Sequence, residues 1–153
     1  MRGLVIGKFL PFHLGHKYLI DSGFEVCDHI DIIVVEGEKD DYDITLRKQW
    51  IQSIYGDSVS IHTLSEHLPR DGRFSKDDQE KWMHAIMSYV PSTDYVIASE
   101  HYIETLCDKL DAQALYVDVK RIEIPISGSL IRSEPNKYLE FLPESVRDDV
   151  RTS

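Results

Sequence analysis

Gly7-Lys8-Phe9-Leu10-Pro11-Phe12-His13-Leu14-Gly15-His16 follows directly on the apolar run Leu4-Val5-Ile6. Read as local structure, the segment is a short strand that enters a turn marked by Gly7 and Pro11. It leaves that turn into a helix opened by two histidines three residues apart. Gly7 lets the chain turn sharply after the strand, and Pro11 stiffens the turn, where its missing N–H costs nothing. Residues three apart share one helical face, so the imidazoles of His13 and His16 project together. The first N–H groups of a helix lack intrahelical partners and make that end a ready anion site. Imidazoles add donors whose charge can respond to a ligand, and Gly15 permits a ligand to approach the backbone. Together these features describe a site for a polyphosphate.

Working outward, the 153 residues fit one domain, read as 1–153, large enough to bury a core without staples. A hydrophobic fraction of 42% and a charged fraction of 29% are those of a globular protein. Cys27 and Cys107 follow no metal spacing and are read as small apolar residues in a reducing compartment. No leader peptide and no run long enough to span a bilayer is visible, so a cytoplasmic protein without a membrane partner is expected. The net charge of −10 argues against nucleic acid as a broad surface partner. An acidic chain must then gather cations locally to hold ATP. Lys8, His13, His16 and Lys17 cluster at the first motif, and Lys120, Arg121 and Arg132 at a second.

Short apolar runs alternate with helical patterns. Strands are expected over 2–6, 29–35, 58–62, 95–98 and 114–117. Helices are expected over 16–26, with Tyr18, Leu19, Ser22 and Val26 at helical spacing, and over 45–55, 76–89 and 100–110. The second helix should turn Leu46, Trp50, Ile51 and Ile54 inward, and Ser75 should cap the third. The stretch 64–75 reads as a long irregular connection of the kind that often carries function. Pro135 and Pro143 break the last helical region into short pieces. The alternation predicts an α/β fold, a five-stranded parallel sheet flanked by helices. Ligands of such sheets bind beyond the carboxyl ends of the strands where strand order reverses, and the histidine motif lies just past the first strand.

The second motif is Ile126-Ser127-Gly128-Ser129-Leu130-Ile131-Arg132, preceded by Pro125 and followed by a helical segment. Ser127 and Ser129 can cap that helix and present hydroxyls. Gly128 keeps the backbone accessible. Arg132, one turn on, can reach over the same helix start, so that hydroxyls, free N–H groups and a guanidinium form a second phosphate clamp.

The two motifs in this order resemble those of the nucleotidylyltransferase superfamily, whose members carry a (H/T)xGH signature followed by an ISSTxxR-type signature. Ser129 stands where many relatives have Thr and keeps the hydroxyl. Class I aminoacyl-tRNA synthetases have a related first signature but are much larger, and this chain has no KMSKS sequence. The C-terminal stretch VDVKRIEIPISGSLIRSEPNKYLEFLPESVR is similar to that of the NadR-type nicotinamide mononucleotide adenylyltransferases, through Asp118, Lys120, Arg121, Ser127, Gly128, Ile131, Arg132, Pro135, Tyr138 and Pro143. The opening GKFLPFHLGHKYLI, Arg47 with Trp50, and Ser99-Glu100 extend the resemblance over nearly the whole chain. NadR proteins often add a ribosylnicotinamide kinase domain or a DNA-binding segment. No Walker A loop and no room for a helix-turn-helix are present, so a stand-alone adenylyltransferase is expected.

The resemblance implies a Rossmann-like nucleotidylyltransferase fold and the joining of ATP and nicotinamide mononucleotide into NAD and pyrophosphate. It implies catalytic roles for His16 and His13 at the ATP phosphates, and for Lys8 and Arg132 in offsetting developing charge. Gly7, Phe9, Gly15, Ser99, Glu100, Lys120, Arg121, Ser127, Gly128 and Ser129 would line the nucleotide, with Ser127 and Ser129 at the outer phosphates. Arg47 would sit near the substrate phosphate, or else be a salt-bridged surface residue. Trp82 would stack on the nicotinamide ring, or else be a core aromatic with Ile86 and Tyr89. Mg2+ would arrive with ATP, held largely by nucleotide and water rather than by a protein cage. A homo-oligomer is compatible with the sequence. Alternatives are transfer to pantetheine phosphate or glycerol phosphate, and a catalytically silent module that senses NAD or ATP.

Overall fold

A computed structural model describes residues 1–37, 40–65, 76–99 and 104–151, with side chains of 76–79 excepted. Five strands form one all-parallel sheet: β1 (Arg2–Gly7), β2 (His29–Val35), β3 (Val59–Leu64), β4 (Tyr95–Ala98) and β5 (Gln113–Tyr116). Their order is β3-β2-β1-β4-β5. Sheet order therefore runs outward from β1 to β3, then restarts on the other side of β1 with β4. The β1/β4 boundary is the switch point at which such sheets leave a crevice.

The β-branched strand β2 alternates its buried residues between two cores. Ile30, Ile32 and Val34 join a cluster with Leu19 and Ile20 of α1 (Leu14–Gly23), Trp50 and Ile51 of α2 (Ile44–Tyr55), and Val146 and Val150 of α6 (Glu144–Val150). Ile33 faces the other way, with Leu4, Met83 and Ile86 of α3 (Lys76–Tyr89), and Leu106 and Leu110 of α4 (Glu104–Leu110). A strand buried on both faces is what helices on both sides of a parallel sheet require.

The strands 29–35 and 95–98 and the helix 76–89 stand where the sequence predicts them, whereas α1 is displaced towards its amino end. It starts at Leu14 because His13 caps it, and it buries Leu19, Ile20 and Gly23 while Tyr18 and Val26 stay exposed. The reason is Gly23: a Cβ there would lie 2.5 Å from Ile97 Cδ1, so the helix rests on the sheet through its backbone at that point. The expected cap at Ser75, most of the 64–75 connection, and the start of the fourth helix fall outside the described residues. Both cysteines are buried and free. Among the described residues no helix is long and apolar enough to cross a membrane.

Candidate active site

At the carboxyl end of the sheet, the loops after β1, β2, β4 and β5 and the start of α5 (Gly128–Ser133) enclose a cavity of about 450 Å³. Lys8, Phe9, His13, Gly15 and His16 border it from the first motif, and Ser127, Gly128, Ser129 and Arg132 from the second. Ser99 closes it from β4, and Arg121 from the loop after β5. The two motifs predicted from the sequence thus share one chamber, placed at the switch point.

The histidines build the helix start that holds them. His13 is the N-cap, and its Nδ1 accepts from the Gly15 N–H at 3.0 Å. The His13 N–H in turn donates to His16 Nδ1 at 3.2 Å. Both Nδ1 atoms are therefore acceptors, which leaves the proton of each neutral ring on Nε2. The rings stack with centroids 3.7 Å apart. Burial, and then the nearby Arg121, push His13 down to about 3, while burial, His13 and Arg121 hold His16 well below the ordinary imidazole range. The pair supplies two neutral N–H donors rather than two cations. Gly15 also has a different use from the one expected: a Cβ there would sit 2.8 Å from His13 Cε1, so it is the histidine ring that needs the space.

Ser127 caps α5, accepting from the Leu130 N–H at 3.3 Å. Ser129 lies inside the first turn, where its Oγ accepts from Arg132 Nη2 at 3.4 Å. Arg132 does not lie free over the helix start. Its Nη1 donates to the Leu10 carbonyl at 2.5 Å and its Nε pairs with Asp41 at 3.2 Å. Gly128 permits this docking, since a Cβ there would lie 2.7 Å from the Leu10 carbonyl oxygen.

Three carboxylates that sequence reasoning assigned no role also border the chamber: Asp40, Asp41 and Asp118. Asp118, at φ 46°, accepts from the backbone N–H groups of Ile122, Glu123 and Ile124 at 2.8–3.1 Å, and the Ile124 bond leads in holding its carboxyl below the usual range. It folds the loop that carries Arg121, whose Nη1 is spent on the Ile126 carbonyl at 2.6 Å. Among the described residues the lining thus sets Lys8, Arg121 and Arg132 against three aspartates, rather than gathering cations alone as expected. Lys17 pairs with Asp21 at 2.7 Å on the outer face of α1, and Lys120 is exposed and away from the lining. In the sequence, Asp40 and Asp41 stand in the charged stretch 36–43, and Asp118 stands in Asp118-Val119-Lys120-Arg121, with no spacing that marks them as lining.

Arg47 is neither on the surface nor in the lining. It is 1% exposed; Nη1 donates to the carbonyls of Lys8 and Val35 at 2.9 and 3.2 Å, and Nη2 pairs with Asp40 at 3.1 Å. It ties the ends of β1 and β2 together beneath the chamber. Trp82 does not border the chamber either; it packs against the core on the α3 side of the sheet. Gly7, the last residue of β1, does not border the chamber, and Glu100 is outside the described residues.

The chain is 28% identical to the trifunctional NAD biosynthesis/regulator protein NadR of Escherichia coli (strain K12), over 95% of the chain and 39% of that protein. The Salmonella typhimurium counterpart is 27% identical over the same shares. A [citrate [pro-3S]-lyase] ligase of Haemophilus influenzae is 29% identical over 43% of the chain and 20% of its own length. The chain thus spans about two fifths of the NadR relatives. The fold is that of solved nucleotidyltransferases. A NadR protein in complex with NAD and AMP-PNP superposes with a TM-score of 0.70 at 16% identity, over 95% of this chain and 45% of that one. A bifunctional NMN adenylyltransferase/ADP ribose pyrophosphatase from Francisella tularensis, complexed with AMP and a manganese ion, gives 0.66 at 17% identity, over 94% and 43%. The likeness to NadR read from the motifs is borne out. A family model covers residues 3–135, from β1 to just beyond the second motif, and by that match the chain belongs to the citrate lyase ligase C-terminal domain family.

Proposed function

We propose that the chain transfers the adenylyl group of ATP to nicotinamide mononucleotide, giving NAD and pyrophosphate. The observation that carries this reading is the meeting of the His13–His16 pair with Ser127, Gly128, Ser129 and Arg132 around one chamber at the sheet's switch point. The names of the NadR relatives, and the NAD and AMP-PNP in one solved neighbour, support the choice of substrates.

In the reaction a phosphate oxygen of the mononucleotide attacks the α-phosphorus of ATP in line. That P–O bond forms as the bond from the α-phosphorus to the α–β bridging oxygen breaks, and pyrophosphate leaves with the electron pair. The attacking group is already anionic, so no general base is required, and catalysis reduces to positioning and charge stabilisation. His13 and His16 offer Nε2–H donors to the phosphate oxygens. A preorganised neutral donor needs no reorganisation as charge moves from the α-phosphate to the leaving group. Lys8, Arg121 and Arg132 supply the formal charge, and the hydroxyls of Ser127 and Ser129 meet the outer phosphates. Ser99 belongs to the adenosine side. Mg2+ enters as part of the MgATP substrate, which suits its reluctance to shed water.

The match to the citrate lyase ligase family favours a second reading, in which the same transfer serves a different acceptor. One assay separates them. The chain is incubated with MgATP and, in turn, nicotinamide mononucleotide, nicotinate mononucleotide, pantetheine phosphate or glycerol phosphate, and pyrophosphate and the adenylylated product are measured. NAD formation, lost by orders of magnitude in a folded His16→Ala variant, is the expected result. Release with another acceptor only selects the second reading. ATP binding with no pyrophosphate from any acceptor identifies a silent nucleotide-binding module.

A further inference from the structure

The geometry points to Phe9 as a positioning residue that holds the His16 imidazole by ring contact, with Gly7 kept small to seat the Phe9 ring; the inference rests on the adenylyl-transfer reading. Gly7 is the residue expected to supply an unusual backbone angle, yet it continues β1 in extended form, and the left-handed residue of the turn is Phe9, at φ 53°. A bulky side chain in that region is uncommon and persists only where its surroundings hold it there. What holds it is packing. Phe9 is 2% exposed, and its ring meets His16 edge-on with centroids 4.8 Å apart.

The consequence is a fixed ring. His16 is walled by Phe9, by Phe12 stacked at 5.7 Å and by His13 at 3.7 Å. Its Nδ1 is occupied by the His13 N–H, so the edge bearing Nε2–H is the part left for a phosphate oxygen. A Leu at position 9 would fill the core but present no ring edge to the imidazole. Gly7 enters because a Cβ there would lie 3.1 Å from Phe9 Cζ and 3.4 Å from the adjacent ring carbons. An alanine must therefore push the Phe9 ring by a few tenths of an ångström, towards the histidines or out of its niche.

The test uses the full chain as wild type, Phe9→Leu, Gly7→Ala and the double variant. Long-range proton–nitrogen spectra of the histidine rings at pH 7 report the His16 tautomer, and steady-state kinetics separate kcat from KM. In the wild type His16 should be protonated on Nε2 only. Phe9→Leu should average its tautomers and lower kcat at least tenfold, with KM for ATP within threefold. Gly7→Ala should act in the same direction, and adding it to Phe9→Leu should change kcat less than twofold, since the ring it displaces is gone. A wild-type His16 carrying its proton on Nδ1 overturns the inference. So does a folded Phe9→Leu with an unaltered His16 spectrum, or a double variant whose losses multiply. Should Phe9→Leu not fold, the wild-type and Gly7→Ala spectra decide. If the wild type forms no dinucleotide, the functional reading fails, while the spectra still judge the ring contact.

Discussion

The guanidinium of Arg132 donates to the carbonyl oxygen of Leu10 across 122 residues of sequence, at 2.5 Å. This bond joins the two motifs directly. The same side chain bonds Ser129 and pairs with Asp41, so one residue connects the turn after β1, the loop after β2 and α5. A planar fork is suited to that task, and an ammonium is not.

Arg132→Lys should accordingly damage more than charge. It keeps the cation but cannot reach the Leu10 carbonyl, the Ser129 hydroxyl and Asp41 in one geometry. The expected loss in kcat/KM is about 10²–10³-fold, the range for removing one preorganised donor. The melting temperature should also fall by a few degrees as the motifs separate. A loss below threefold in the transfer assay would show that charge alone is needed.

Asp41 pairs with Arg132 Nε at the border of the chamber, and its own side chain is 62% exposed. An exposed pair of this kind contributes little to stability. It does neutralise a cation that a polyphosphate would use. Asp41→Asn should tighten metal-free tripolyphosphate by about two- to fivefold at low salt, a gain that shrinks as salt screens the wall. Calorimetric titration at two ionic strengths measures this. Weaker binding in the variant would mean that Asp41 contributes to the site instead of competing with the anion.

Arg47 and Asp40 form a buried ion pair beneath the chamber. Arg47→Met leaves the buried Asp40 carboxylate its bond from the Gly37 N–H at 2.6 Å but no counter-charge, and frees two carbonyls, so destabilisation of about 3–5 kcal/mol is expected in urea denaturation. Asp40→Leu added to it should recover part of the stability but not ATP affinity, because the Lys8 carbonyl remains untethered. A loss under about 1 kcal/mol in Arg47→Met would reduce the pair to a bystander.

Acid should weaken the fold through the histidines. In the native chain His13 resists protonation until about pH 3 and His16 until well below the ordinary range, whereas both unfolded rings take up protons near 6.5. Below pH 6.5 the unfolded state therefore binds more protons, and stability falls as pH drops towards the native values. Melting temperatures should decline from pH 7 to pH 5, and His13→Asn, which keeps a short capping side chain, should flatten that decline. An equal slope in the variant would locate the acid sensitivity elsewhere.

Much of this protein could be read without coordinates, and the physical reason is locality. The β-branched run 29–35 can only be a strand buried on both faces, Ser127 caps whatever helix follows it, and His13 and His16 three apart must share a helix start. Each of these depends on residues within a turn or two. Tertiary structure decided which distant groups meet. The order β3-β2-β1-β4-β5 sets β4 against β1 and opens the chamber, and docking of α5 under the Leu10 carbonyl closes it. Burial then changed the character of residues whose identity was plain. It made the histidines neutral donors and turned Arg47 into an internal tie, while among the described residues the loops set three aspartates beside the cations. Charge, tautomer and exposure belong to an environment assembled from all parts of the chain, and no local pattern encodes it.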